Sequence, residues 1–248
     1  MRIAAWEIAF SPVPAAATVV AMIVFSALGG WQFDRAAQKR ALEATYRERL
    51  AAAPLDLNIA HAPCASGSGD WRRAVATGHW EPAPQILLDN AVVHGRVGYQ
   101  VFTLLRLIGH RQGVLVDRGW VPAPMYREVA PVVDIGDAEA VVHGTLAPVP
   151  FSGLGAQGEI DASLGKALFR VERLDMPLLS SALGIDLLSC TLRLDPEAPQ
   201  GYVRDWALPG LGAARHVAYA LQWYAFGIIA FGIYLLLHVK RVPPDEVR

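Results

Sequence analysis

The chain opens and closes on long uncharged hydrophobic runs, and between them apolar and polar positions alternate in short stretches. From Ile8 to Phe33 there is no Asp, Glu, Lys or Arg, and from His216 to Val239 there is none either. Each run exceeds the roughly 20 residues that a helix rising about 1.5 Å per residue needs to cross about 30 Å of hydrocarbon. Two membrane-spanning helices are predicted, over residues 12–32 and 215–238. An even number of spans puts residues 1–11 and 239–248 on one side of the membrane and 33–214 on the other.

The middle of the chain changes character twice. Phe33 to Ala53 carries alternating charges and alanines without glycine or proline, which predicts a helix continuing out of the membrane until Pro54. A turn-rich stretch follows from Pro63 to Asp70. Short β-rich runs then alternate with Gly, Pro, Asn and Asp: 73–80, 85–93, 99–107, 113–121, 140–147, 168–172 and 187–194, with one helix over about 174–183. The pattern predicts a single α+β domain dominated by antiparallel sheet, anchored by an N-terminal and a C-terminal transmembrane helix.

The first span has a competing reading as a signal peptide, with Arg2 ahead of the apolar stretch and Ala27-Leu28-Gly29 as cleavage site. Against it, Pro12 and Pro14 sit where a helix start tolerates proline, the uncharged run is long for a signal peptide, and Trp31 closes it as an interfacial anchor. Ala17 with Ala21, and Ser26 with Gly30, offer a small-residue face to another helix. Charge leaves orientation open: Arg35, Lys39 and Arg40 follow the first span, Arg2 precedes it, and Lys240, Arg241 and Arg248 follow the second. The positive-inside rule holds for loops of up to about 60 residues, far shorter than this one. The ten residues ahead of the first span are too few and too poor in Arg and Ser for a mitochondrial transit peptide, which favours a bacterial plasma membrane.

Composition agrees with a membrane protein, at 53% hydrophobic and only 18% charged residues, and the net charge of -1 gives no footprint for nucleic acid. Cys64 and Cys190 form no CxxC pair, so one long-range disulfide is the most they can make. Gly153 to Gly158 matches the dinucleotide spacing GxGxxG but follows a proline-rich stretch with no parallel βαβ pattern, and reads as a loop. His79, His94 and His143 lie in separate strands or turns with no metal-ligand spacing. No serine sits in a nucleophile elbow, and Asp117 and Glu172 show no paired carboxylate, so the chain is expected not to be an enzyme.

Three clusters remain: Gly30-Trp31-Gln32-Phe33-Asp34-Arg35 through Lys39 at the exit of the first span; Tyr99 to Thr103 with Val114 to Pro122, ending in Arg118-Gly119-Trp120-Val121-Pro122; and His216 to Tyr224, containing Tyr219-Ala220-Leu221-Gln222-Trp223. In this order and spacing the whole chain resembles the Surfeit locus 1 family of cytochrome c oxidase assembly factors. Many members have Asn where Asp117 stands, and Asn rather than Arg215 before the histidine. The resemblance implies a β-rich domain on the extracytoplasmic side, in a bacterium the periplasmic face of the inner membrane. It also implies work on subunit I of haem-copper oxidases, alongside factors such as a haem a synthase, with haem a bound by bacterial members. A cofactor-free scaffold that holds oxidase subunits is the alternative. A copper chaperone would need clustered Cys, Met and His, and the sequence has four methionines and two cysteines, none adjacent.

Span two suits a haem role. His216 lies at the membrane boundary, and Ala220 and Trp223 follow on its helical face, Ala220 leaving room for a flat macrocycle. Arg215 and Arg35 stand at the same boundary as candidate partners for haem propionates. No second axial ligand is evident, since Met22 is too deep, and His238 at the far end reads as interfacial. Gln222, polar inside hydrocarbon, is expected to hydrogen-bond to the first span or to a client helix. Trp120 is expected to pack under the sheet, with Arg118 meeting a carboxylate or backbone carbonyls.

Overall fold

The computed structural model describes residues 5–8, 11–60, 64, 71–150, 158–206 and 212–242. In chain order its elements begin β1 (Ala5–Ile8), α1 (Pro12–Ala51), β2 (Leu55–Asp56), β3 (Arg73–Trp80), β4 (Gln85–Val93), β5 (Arg96–Leu107) and β6 (Gln112–Pro122). They continue β7 (Glu139–Pro148), β8 (Ile160–Asp161), β9 (Leu168–Val171), α2 (Met176–Leu183), β10 (Asp186–Leu194), α3 (Ala213–His238) and β11 (Val239–Val242). Residues 1–45 with 208–248 form one compact unit, and 46–207 another. The GxGxxG segment, save Gly158, and most of the turn-rich stretch at 63–70 lie outside the described residues.

The first unit is the helix pair. α1 is one unbroken 40-residue helix, and at about 1.5 Å per residue its roughly 60 Å is twice a hydrocarbon thickness. β1 and β11 pair antiparallel, so the segments flanking the two helices meet at one end of the pair, as two spans require. Val13, Val20, Ile23, Ile228, Leu236 and Leu237 are exposed. A soluble protein would cover such a surface, and hydrocarbon covers it here.

The seam on α1 runs through Thr18, Ala21, Phe25, Gly29, Gln32 and Ala36, positions three or four apart and more buried than their neighbours. Phe25 stacks on Trp223 at 5.8 Å, and Phe33 meets Tyr224 at 5.9 Å. A Cβ on Gly29 would stand 2.8 Å from the Tyr224 ring, so this glycine admits the aromatic side chain of α3. The small-residue face expected from Ala17 with Ala21 and Ser26 with Gly30 is displaced: Ala17 and Ser26 are exposed, and the close approach falls on Gly29. Large rings from α3 fill the seam, and only a residue without a side chain fits opposite Tyr224.

The second unit is a β-barrel with an extension. β3, β7, β10, β6 and β5 pair in sequence, and the pairing of β3 with β5 closes the ring. β5 serves two sheets: its first half pairs with β4, which continues into β9 and β8, and its last residues pair with β3. The predicted strands and helix are all present within a few residues, and β2 and β8 are additions two residues long. Among the described residues six of this unit's nine pairings are antiparallel, while β2 with β3, β4 with β9 and β6 with β10 are parallel. Pattern alone predicts a half-buried strand but not its neighbour, so the parallel pairs could not be read from it.

Ala74, Ala76, Trp80, Leu105, Val114, Val116, Leu146 and Leu192 fill the barrel. α2 covers a second core of Ile86, Phe102, Leu104, Leu115 and Leu179 on the outside. That helix starts on Asp175, whose carboxylate accepts the Leu178 N–H at 3.1 Å, and stops at Gly184, whose φ of 67° is left-handed. Cys64 and Cys190 are disulfide-bonded, which ties residue 64 to the barrel wall with Cα atoms 5.7 Å apart.

Candidate functional site

β6 is buried on both faces, and its end carries the Arg-Gly-Trp-Val-Pro segment. Val101 pairs with Gly119 but Phe102 with Asp117, so Arg118 is the extra residue of a β-bulge. Gly119 takes a φ of 110°, and a Cβ there would meet the Val203 carbonyl at 2.7 Å. Only glycine turns the chain at that point. The bulge sends Asp117 and Arg118 to different polar networks.

Arg118 is 1% exposed. Its guanidinium donates to the carbonyls of Gln200 at 2.7 Å and Asp134 at 2.9 Å, reaches Gln85 Oε1 and Thr103 Oγ1, and lies 4.8 Å over the Tyr202 ring. Burial lowers its pKa, and the nearby Tyr202 and Asp134 raise it in part. Trp120 is 5% exposed, and its indole N–H donates to the Ala91 carbonyl at 3.0 Å. Gly98 lies under the ring, where a Cβ would stand 2.5 Å from Trp120 Cε2. Pro122 ends the strand opposite Gly98 and is exposed. The segment is a structural corner, with Arg118 held chiefly by backbone carbonyls and Trp120 packed under the sheet.

Asp117 is 2% exposed, and burial pushes its carboxyl up from 3.8 to about 6. The Gln100 amide and the Gly119 N–H, at 3.2 Å, both donate to its Oδ1 and oppose the rise, as does the charge of Arg193. A carboxylate here titrates in a range that ordinary aspartates have left.

In the helix pair, His216 and Gln32 come together, with Nδ1 of the imidazole 2.8 Å from the amide Oε1. Facing an amide oxygen, Nδ1 is the donor, and in the neutral imidazole that leaves the lone pair on Nε2. Arg215 is exposed beside His216, Trp31 is exposed beside Gln32, and Arg35 is exposed one helical turn further on, donating to Gln38 Oε1 at 2.8 Å. Tyr219 is exposed on α3. Ala220 is fully buried, so the surface it offers is taken up within the molecule rather than left open. Trp223 faces Phe25 and Phe226. Gln222 is exposed and makes no hydrogen bond to α1 among the described residues; the polar link across the pair is Gln32 to His216. His238 is occupied locally, its Nδ1 2.9 Å from the Tyr234 carbonyl.

Sequence reasoning singled out Gln32 and His216 separately but not as partners, because nothing in sequence links positions on two distant helices. It also passed over Trp71, Arg193 and Trp206, which stack together in the second unit.

Helix pair and barrel define the class: a membrane protein with two spans and a β-rich domain inserted between them. The family model described as SURF1 family matches residues 19–228, which include all three motif clusters, and the chain belongs to that family. It is 26% identical to uncharacterised SURF1-like proteins of Mycobacterium bovis and Mycobacterium tuberculosis, over 84% of this chain and 75% of theirs. It is 25% identical to a SURF1-like protein of Monosiga brevicollis, over 90% of each chain.

Proposed function

We propose that this protein is an assembly factor for haem-copper oxidases that binds haem a through His216 and assists its insertion into, or the stabilisation of, subunit I. The observation that carries the reading is the His216 to Gln32 hydrogen bond. An imidazole that ligates iron holds its other ring N–H on a carbonyl or carboxylate, which fixes the tautomer and aims the free nitrogen. His216 has that arrangement, with Gln32 as the orienting group. Haem a would supply an iron centre able to take the Nε2 lone pair. Arg215 and Arg35, exposed beside this pair, are suited to hold propionates by charge-assisted hydrogen bonds. The role is one of binding and positioning rather than catalysis.

The Cys64 to Cys190 disulfide supports a domain on the oxidising, extracytoplasmic side, since such bonds persist in the periplasm and are reduced in the cytosol. For a bacterial protein this supports a domain in the periplasm and spans in the inner membrane.

Haem a titrated into the detergent-purified protein, with the absorption band as readout, tests the proposal. His216→Ala is expected to lose or strongly weaken binding with the domain still folded, and Arg215→Ala to weaken it less. His238→Ala is expected to bind normally, because about 22 residues at 1.5 Å, or roughly 33 Å, separate it from His216. An unchanged titration for His216→Ala would refute the ligand and shift the role to a cofactor-free scaffold.

A further inference from the structure

We propose that Arg193, on β10, is a binding site for a single carboxylate. Its guanidinium carbon lies 4.9 Å over the centre of the Trp71 ring and 5.3 Å over that of Trp206, so two indole faces flank the cation. Both are themselves positioned. Tyr46 meets Trp71 edge-on at 5.1 Å, and the Trp206 N–H donates to the Leu194 carbonyl at 2.9 Å. Trp71 is held at a φ of 50°, a left-handed value that a tryptophan rarely adopts.

Ring faces offer the guanidinium a cation–π contact but no oxygen acceptor for its five N–H donors. The Nε of Arg193 is buried without a hydrogen bond, and the residue makes no ion pair within 4.0 Å among the described residues. Arg118, one strand away and more deeply buried, donates to carbonyls on two sides, whereas no carbonyl accepts from the Arg193 guanidinium among the described residues.

The chemistry selects the ligand class. A flat fork of N–H donors matches the two oxygens of a carboxylate. Asp117 is paired in register with Arg193, and its charge acts on the guanidinium. A negative group already close by disfavours a dianion such as phosphate and leaves room for one further negative charge. The two indoles favour a carboxylate carried on an apolar body. The acid can be free in solution or be the end of a polypeptide, and both present the same group.

The full chain labelled with 15N-arginine, in detergent, tests this through the Arg193 Nε–H resonance, assigned by its absence in Arg193→Lys. Benzoate represents a free flat acid, N-acetylglycine a peptide carboxyl terminus, and inorganic phosphate the dianion. Saturable downfield movement with benzoate or N-acetylglycine, at least tenfold tighter than with phosphate, is the expected result, and the stronger of the two identifies the source. The indole N–H resonances of Trp71 and Trp206 should move with the same midpoint, and in Arg193→Lys that midpoint should weaken at least tenfold. If that variant fails to fold, the indole N–H resonances of Trp71 and Trp206, assigned by their absence in Trp71→Phe and Trp206→Phe, carry the wild-type titration and decide. No saturable shift with either carboxylate, or equal binding of phosphate, would overturn the proposal.

Discussion

Replacing Asp117 with asparagine should remove a pH dependence built into the sheet. The carboxyl is 2% exposed, and burial raises it from 3.8 to about 6. Between those values the folded protein holds this proton while the unfolded chain has released it. Raising the pH through that window therefore destabilises the fold, and above about 6 the penalty is fully present. At 1.36 kcal/mol per pH unit, the rise corresponds to about 3 kcal/mol. Asparagine keeps an oxygen for the Gln100 amide and the Gly119 N–H, and it has no charge to desolvate. Its added N–H group lowers stability by about 1–3 kcal/mol if it finds no acceptor, equally at every pH. The diagnostic quantity is thus the stability of Asp117→Asn minus that of wild type, which should grow by about 2.4 kcal/mol between pH 4 and pH 7.5, or roughly 5–10 °C in Tm for a chain of this size. Thermal unfolding followed by near-ultraviolet circular dichroism at several pH values measures it. Other titrating groups cancel in the difference. A difference that stays flat with pH would refute the burial argument.

Trp120→Ala should cost about 3–5 kcal/mol, because it empties the space under the sheet and strands the Ala91 carbonyl; an unchanged Tm would sink the structural reading of the corner. Gln32→Leu should weaken haem a binding by roughly 10–100-fold while leaving the helix pair intact, since it removes only the group that orients His216, and an unaltered titration would show that the hydrogen bond does not position the ring. Cys64 and Cys190 in protein purified without reductant should resist maleimide until reduced, and mass spectrometry that found either labelled beforehand would exclude the disulfide.

The two spans, the helix running on from the first, and the main strands were legible because each is a local pattern. An uncharged run longer than a bilayer is thick, or an apolar run punctuated by Gly and Pro, needs no partner to be read. The motif segments carried the family for the same reason. Tertiary structure alone decided who meets whom. Closure of the barrel through β3 and β5, the parallel run of β6 beside β10, and the union of Cys64 with Cys190 depend on contacts between residues far apart in the chain. So does the seam on α1. Phe25, Gly29 and Gln32 become its contact face only because α3 brings Trp223, Tyr224 and His216 against them, and the spacing of small residues pointed to the neighbouring face instead. Asp117 was visible in sequence as a carboxylate in a strand, but its raised pKa comes from burial on both faces of β6. Burial is a property of the packed chain and is written in no single segment of it.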